Sequence, residues 1–110
     1  MIEKIVLDYL NEALDVPVYM EMPEEKLDEF VLIEKTGSSA ENFIYSATIA
    51  LKSYADSLYL ASALNEKVKE AMNNIIILNT ISKAKLNTDY NFTDTTKKKY
   101  RYQAIYDVTY

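Results

Sequence analysis

Two short stretches of this chain gather charge densely enough to suggest chemistry. Glu24, Glu25, Asp28 and Glu29 crowd one of them, and Lys97, Lys98, Lys99 and Arg101 crowd the other, interleaved with Tyr100 and Tyr102. Clustered carboxylates can hold Ca²⁺, but the EF-hand order requires alternating acidic positions around a central glycine, and this stretch has no glycine. It reads as a solvated acidic connector. Cations beside aromatic rings can grip a phosphate backbone while stacking bases. Here they sit on one hairpin of a chain whose net charge is −5, which argues against general nucleic-acid binding.

The absence of both Cys and His removes thiol nucleophiles, Cys/His zinc sites, imidazole bases and His-oriented serine triads together. Carboxylate, Lys, Tyr and Ser/Thr chemistry is what remains. No pair of carboxylates is placed on facing rigid elements, so no acid–base assignment follows. The lone Gly37, followed by Ser38 and Ser39, lacks the further glycines and the Lys of a phosphate-cradling loop and reads as a turn. The expectation is a protein that is not an enzyme, with no catalytic, cofactor or metal site.

Charge is distributed unevenly along the chain. Residues 1–36 hold ten acidic side chains against three Lys, a balance of −7, and residues 83–101 hold five Lys and one Arg against two Asp, a balance of +4. A small domain with an acidic and a basic end can attract copies of itself head to tail, the arrangement that closes into rings or runs into filaments. The plainer reading is two solvated faces. Ten tyrosines and no tryptophan supply rings that are useful both in a core and at an interface. No apolar run approaches the roughly 18 to 20 residues of a membrane span, and Met1-Ile2-Glu3-Lys4 does not open like a secretory signal. The chain is expected to be soluble and unprocessed, without a membrane partner.

These residues are positioned by elements that the hydrophobic period outlines. Ile2, Ile5, Val6, Tyr9, Leu10, Ala13 and Leu14 keep a helical spacing until Asp15-Val16-Pro17 stops it. Val18–Met22 reads as a short edge strand closed by Pro23. Phe30–Lys35 reads as a central strand ended by a turn at Thr36–Ser39. In Asn42–Tyr54, Phe43, Tyr45, Ala47, Ile49 and Leu51 fall on one apolar face, as in a strand covered on one side. A helix over Ser57–Asn74 follows, capped by Asp56 or Ser57, with Ala61, Leu64, Val68, Ala71 or Met72, and Ile75 as its buried stripe. Ile75–Leu78 shows no clear period and can finish the helix or cross the core. Ile81–Tyr90 is a polar strand, Asn91–Lys99 a hairpin tip, and Tyr100–Tyr110 a last strand with Tyr100, Tyr102, Ala104, Tyr106, Val108 and Tyr110 on its core face.

The pattern adds up to an α+β fold over residues 1–110 as a single domain. It predicts a mixed or antiparallel sheet of about four or five strands, two helices on one face and a projecting C-terminal β-hairpin.

This order of elements resembles the tail terminator and tail-completion proteins of long-tailed bacteriophages. The residues that carry the likeness are Val18-Tyr19 before Pro23, Phe30 to Gly37, the helix Ala61 to Val68, and Thr93-Asp94 followed by Tyr100-Arg101-Tyr102-Gln103. The resemblance implies a virion structural protein at the head-proximal end of the tail, assembled in the cytoplasm of a bacterial host. It would form a homo-oligomeric ring, by analogy a hexamer, that ends growth of the tail tube. Its implied partners are the tail tube protein and a head-completion or connector protein, with DNA only passing through the lumen. On that reading, Lys97, Lys98, Lys99, Tyr100, Arg101 and Tyr102 are candidate interface residues, with Glu24, Glu25, Asp28 and Glu29 as a partner set. The alternatives are a head-completion or minor capsid protein of the same junction, or a cellular protein-interaction module.

Overall fold

A computed structural model describes all residues 1–110. Helix α1, Ile2–Ala13, forms because Ile2, Val6 and Leu10 recur every four residues and all three are buried. It ends where Leu14 turns extended ahead of Pro17. Asn11 then ties the exit down: its Oδ1 accepts from the Val18 N–H at 3.0 Å, and its Nδ2 donates to the Val18 carbonyl at 3.2 Å.

Strand β1 is only Val18–Tyr19, shorter than the Val18–Met22 run suggests, and Met20 and Met22 stand exposed. The reason lies in its partner. β1 runs parallel to β2, Phe30–Glu41, with Val18 opposite Val31, so the ten-residue connection must carry the chain back along the strand and leaves the sheet early. β1 does lie at the sheet edge, as its proline-bounded run indicates.

Strand β2 is twice as long as expected. The turn assigned to Thr36–Ser39 is absent: β2 passes through Gly37 with a shift of register between Lys35 and Gly37 and pairs to Glu41 against β3, Ile44–Ala55. Gly37 has an ordinary negative φ and open space where a Cβ would stand, so it marks a bulge in the strand. The chain reverses instead at Asn42-Phe43, between the paired Glu41 and Ile44, and both turn residues have positive φ, 51° and 65°. That is the pattern of a two-residue type I′ turn.

Helix α2, Leu58–Asn73, begins where the Ser57 hydroxyl accepts the Leu60 N–H at 3.1 Å. Its stripe of Ala61, Leu64, Val68, Ala71 and Met72 is buried, and Ile75 continues it in a short 3-10 turn, Ile75–Ile77. The chain finishes with the hairpin of β4, Lys83–Asn91, and β5, Tyr100–Thr109.

The fold is α+β, a five-stranded mixed sheet in the order β1-β2-β3-β5-β4 with both helices on one face. Val31, Ile33, Ala47, Ile49, Leu51, Ala104, Tyr106 and Val108 line that face and meet Val6, Leu10, Leu64, Val68 and Met72 of the helices. The tertiary lock between α2 and the C-terminal hairpin is polar. Asp89 of β4 accepts from Asn65 Nδ2 and from Lys69 Nζ, each at 2.9 Å, while the Tyr106 hydroxyl lies 2.9 Å from the Asn73 side-chain oxygen and 3.2 Å from the Lys69 carbonyl. Lys69 holds the Asp89 carboxyl below its ordinary pKa, Asp89 raises that of Lys69, and burial raises that of the Tyr106 phenol. No helix is long and apolar enough to cross a membrane.

Candidate assembly surfaces

Of the stretch Asn91–Lys99 expected as the hairpin tip, Asn91 ends β4 and the residues after it form the tip, which a carboxylate shapes. Asp94 and Lys99 exchange backbone hydrogen bonds at 3.1 Å, and Asp94 Oδ1 accepts from the N–H groups of Thr96 and Lys97. Hydrogen bonds led by the Lys97 N–H hold the Asp94 carboxyl below its usual range. Asp94 therefore sets the conformation that presents three consecutive lysines. None of Lys97, Lys98 and Lys99 has an ion-pair partner within the chain.

The acidic connector lies beside that tip. Glu25, Lys26 and Asp28 line one side of an open cleft of about 470 Å³, Lys97, Lys98, Lys99 and Tyr100 line another, and Phe30 and Tyr54 contribute its aromatic part. The two charge runs that suggested opposite poles are thus neighbours at one end of the molecule, because β1–β2 and β4–β5 both open toward the Phe30/Ala55 end of the β2–β3 ladder. Glu24, exposed, and Glu29, half-buried, lie on the same connector but do not line the cleft, and neither does the half-buried Tyr102.

Arg101 serves another purpose. It is opposite Tyr54 in the ladder, on the sheet face away from the helices, where its guanidinium lies 5.7 Å from the Tyr54 ring centroid and 4.4 Å from that of Phe92. It donates to the Tyr54 hydroxyl at 3.1 Å and to the Phe92 carbonyl at 2.6 Å. Phe30 stacks on the far side of Tyr54 with ring centroids 4.6 Å apart and planes 7° from parallel, and Tyr19 meets Phe30 edge-on. A row of rings crosses the helix-free face, with Arg101 bridging its middle.

The most exposed apolar surface is at the opposite end and was not among the residues expected to form interfaces. Phe43 is 96% exposed, Ile44 56% and Tyr45 50%. Phe43 was expected on the core face of a strand with Ile49; it sits in the turn, one residue before pairing begins, so no core reaches it. β5 pairs with β3 as far as Ser46, the Tyr110 N–H reaches the Tyr45 carbonyl at 2.9 Å, and beyond it Ala40–Ile44 is a bare two-stranded ribbon. Tyr45 is held at its base by stacking on Tyr110, with centroids 6.1 Å apart. A Phe in the left-handed region is an outlier for a bulky side chain; the type I′ turn that closes the hairpin requires it, and the ring itself is left without cover. The signal in the sequence was Asn42, a residue that tolerates positive φ, followed by an aromatic where hairpins usually hold Gly.

Comparison of the chain with models of known families and with curated proteins found no match.

Proposed function

We propose that this chain is a virion structural protein of the tail-terminator kind, a subunit that joins copies of itself into a ring on the head-proximal end of a tail tube and ends its growth there. The observation that carries this reading is the pair of hairpins aimed in opposite directions from one sheet. The β4–β5 tip leaves at the Phe30/Ala55 end, and the β2–β3 tip leaves at the other, in a molecule whose extents are 45 × 25 × 24 Å. A subunit with different protruding surfaces at its two ends suits heterologous contacts, which close into a ring when the rotation between neighbours closes. The resemblance in element order supplies the identity of that ring, and the tail tube protein and a head-side connector protein are its proposed neighbours.

Native mass spectrometry across protein concentration, with electron microscopy of any large species, tests the ring. Mixing the protein with a polymerising tail tube protein tests the terminator role: the expected outcome is tubes capped at one end that stop lengthening. Tubes that lengthen unchecked in the presence of saturating protein would sink the terminator reading and favour a place on the head side of the junction.

A further inference from the structure

We infer that the apolar β2–β3 tip of one copy seats in the cleft between the acidic connector and the lysine tip of the next copy. This interface deepens the ring reading and rests on it for the closure of successive contacts into a ring.

Phe43, Ile44 and Tyr45 are three consecutive exposed apolar residues at the tip, with Ile44 and Tyr45 on opposite faces of the ribbon, and exposed apolar surface of this kind marks an interaction site; the type I′ turn sets Phe43 at the outermost point, where its own chain gives the ring no cover. The cleft offers what such a tip lacks. Its about 470 Å³ falls in the range of pockets that enclose compact groups, and it is bounded by Met22, Leu27, Phe30 and Tyr54.

Charge favours a second copy as the occupant. Glu41, beside the turn, has no ion-pair partner in its own chain, and the cleft presents the unpaired Lys97, Lys98 and Lys99 along one side. The rest of the lining carries Glu25, Asp28 and Asp56 against Lys26 alone, a net negative balance that repels Glu41 and so favours the way of entry that sets it beside the lysine tip. The geometry agrees, since tip and cleft terminate opposite ends of the same twelve-residue strands. Each copy therefore gives one contact and receives another, with neither site used up.

The test is sedimentation velocity of the full chain and of two variants, Phe43→Asp and the triple change Lys97→Glu, Lys98→Glu and Lys99→Glu. Both alter exposed positions, and thermal melting checks that each folds like the wild type. Wild type is expected to associate more weakly as salt rises. Each variant alone should associate at least about tenfold more weakly, the loss expected from withdrawing one buried aromatic or reversing a charged wall. Mixed in equal amounts, the variants should form a 1:1 dimer that grows no further, because one keeps an intact cleft and the other an intact tip. A Phe43→Asp protein that still forms rings, a mixture that stays monomeric, or a wild type that stays monomeric to about 1 mM would each overturn the interface. The two readings fail separately: rings in Phe43→Asp discard the interface and keep the ring, whereas tip-to-cleft assemblies that never arrest a tail tube keep the interface and discard the terminator role.

Discussion

The two halves of the β2–β3 ladder share one hydrogen-bond pattern and differ in what their side chains meet. From Phe30 to Ile33 every residue of β2 is buried, opposite the buried Leu51, Ser53 and Tyr54 of β3. From Glu34 to Glu41 none is. The inner half lies under helices on one side and adjoins the Tyr19, Phe30, Tyr54 and Arg101 row on the other. The outer half ends in a two-stranded ribbon with no cover. Ladder bonds alone leave a hairpin marginal in water, so the ribbon at the far end is held by the β3–β5 pairing that begins at Ser46, by the Tyr110 N–H on the Tyr45 carbonyl and by the Tyr45–Tyr110 stack. One pair of strands thus serves as core at one end and as a presented surface at the other.

The largest break in this contrast should come from truncating matched apolar residues in the two halves. Leu51, opposite Ile33, is fully buried, and Leu51→Ala should lower folding stability by about 3 kcal/mol, the transfer loss plus an unfilled cavity. Ile44→Ala, at the exposed end of the same strand, should change it by no more than about 0.5 kcal/mol. Denaturant unfolding reads both, and equal losses would mean that the Ile44 end is packed after all.

The inner half also depends on the polar lock beneath it, and pH should expose that dependence. Asp89→Ala leaves Asn65 Nδ2 unpaired and Lys69 with only the exposed Glu66 at 3.0 Å, which should cost about 2 kcal/mol near neutral pH. The folded pKa of Asp89 is depressed, so its stabilising effect is present above its unfolded value near 3.9 and is lost as pH falls through the lower folded value. Melting temperature should fall more steeply below about pH 4 in the wild type than in Asp89→Ala. Lys69 has the opposite sign: its pKa is raised, and its contribution is lost only as pH climbs above that raised value. Parallel acid limbs in the two proteins would show that the pair does not support the fold.

The smallest expected effect runs the other way. Phe43→Gly places at the second turn position the residue that positive φ favours, and it should raise stability by about 0.5 to 1 kcal/mol while weakening self-association. Thermal melting paired with sedimentation resolves the two. A loss of stability would show that Phe43 packs within its own chain.

Much of the helix-covered part of the fold was legible beforehand. The Ala47, Ile49 and Leu51 alternation, the Ala61, Leu64, Val68 and Met72 stripe and the Ser57 cap are local patterns, and local patterns survive into the fold when the faces they define are buried. The outer half misled for a related reason. Gly37-Ser38-Ser39 has turn composition but lies within a strand, and Asn42-Phe43 makes the turn with an aromatic where glycine is usual. Composition signals a turn only when the surrounding pairing leaves the choice to local preference. Arg101 was read with the lysines because it is adjacent to them in sequence, but strand alternation turns it onto the aromatic face.

The amino-acid sequence by itself determined the order and type of the main elements, the buried faces of both helices and of β3 from Ala47 onward, and the absence of Cys and His chemistry, because these follow from period and composition. Tertiary structure decided which surfaces stand together. Pairing β1 parallel to β2 and placing β5 between β3 and β4 brought the acidic connector and the lysine tip to one cleft and sent Phe43 to the far end. Strand order and direction are set by long-range burial, which no window of neighbouring residues contains.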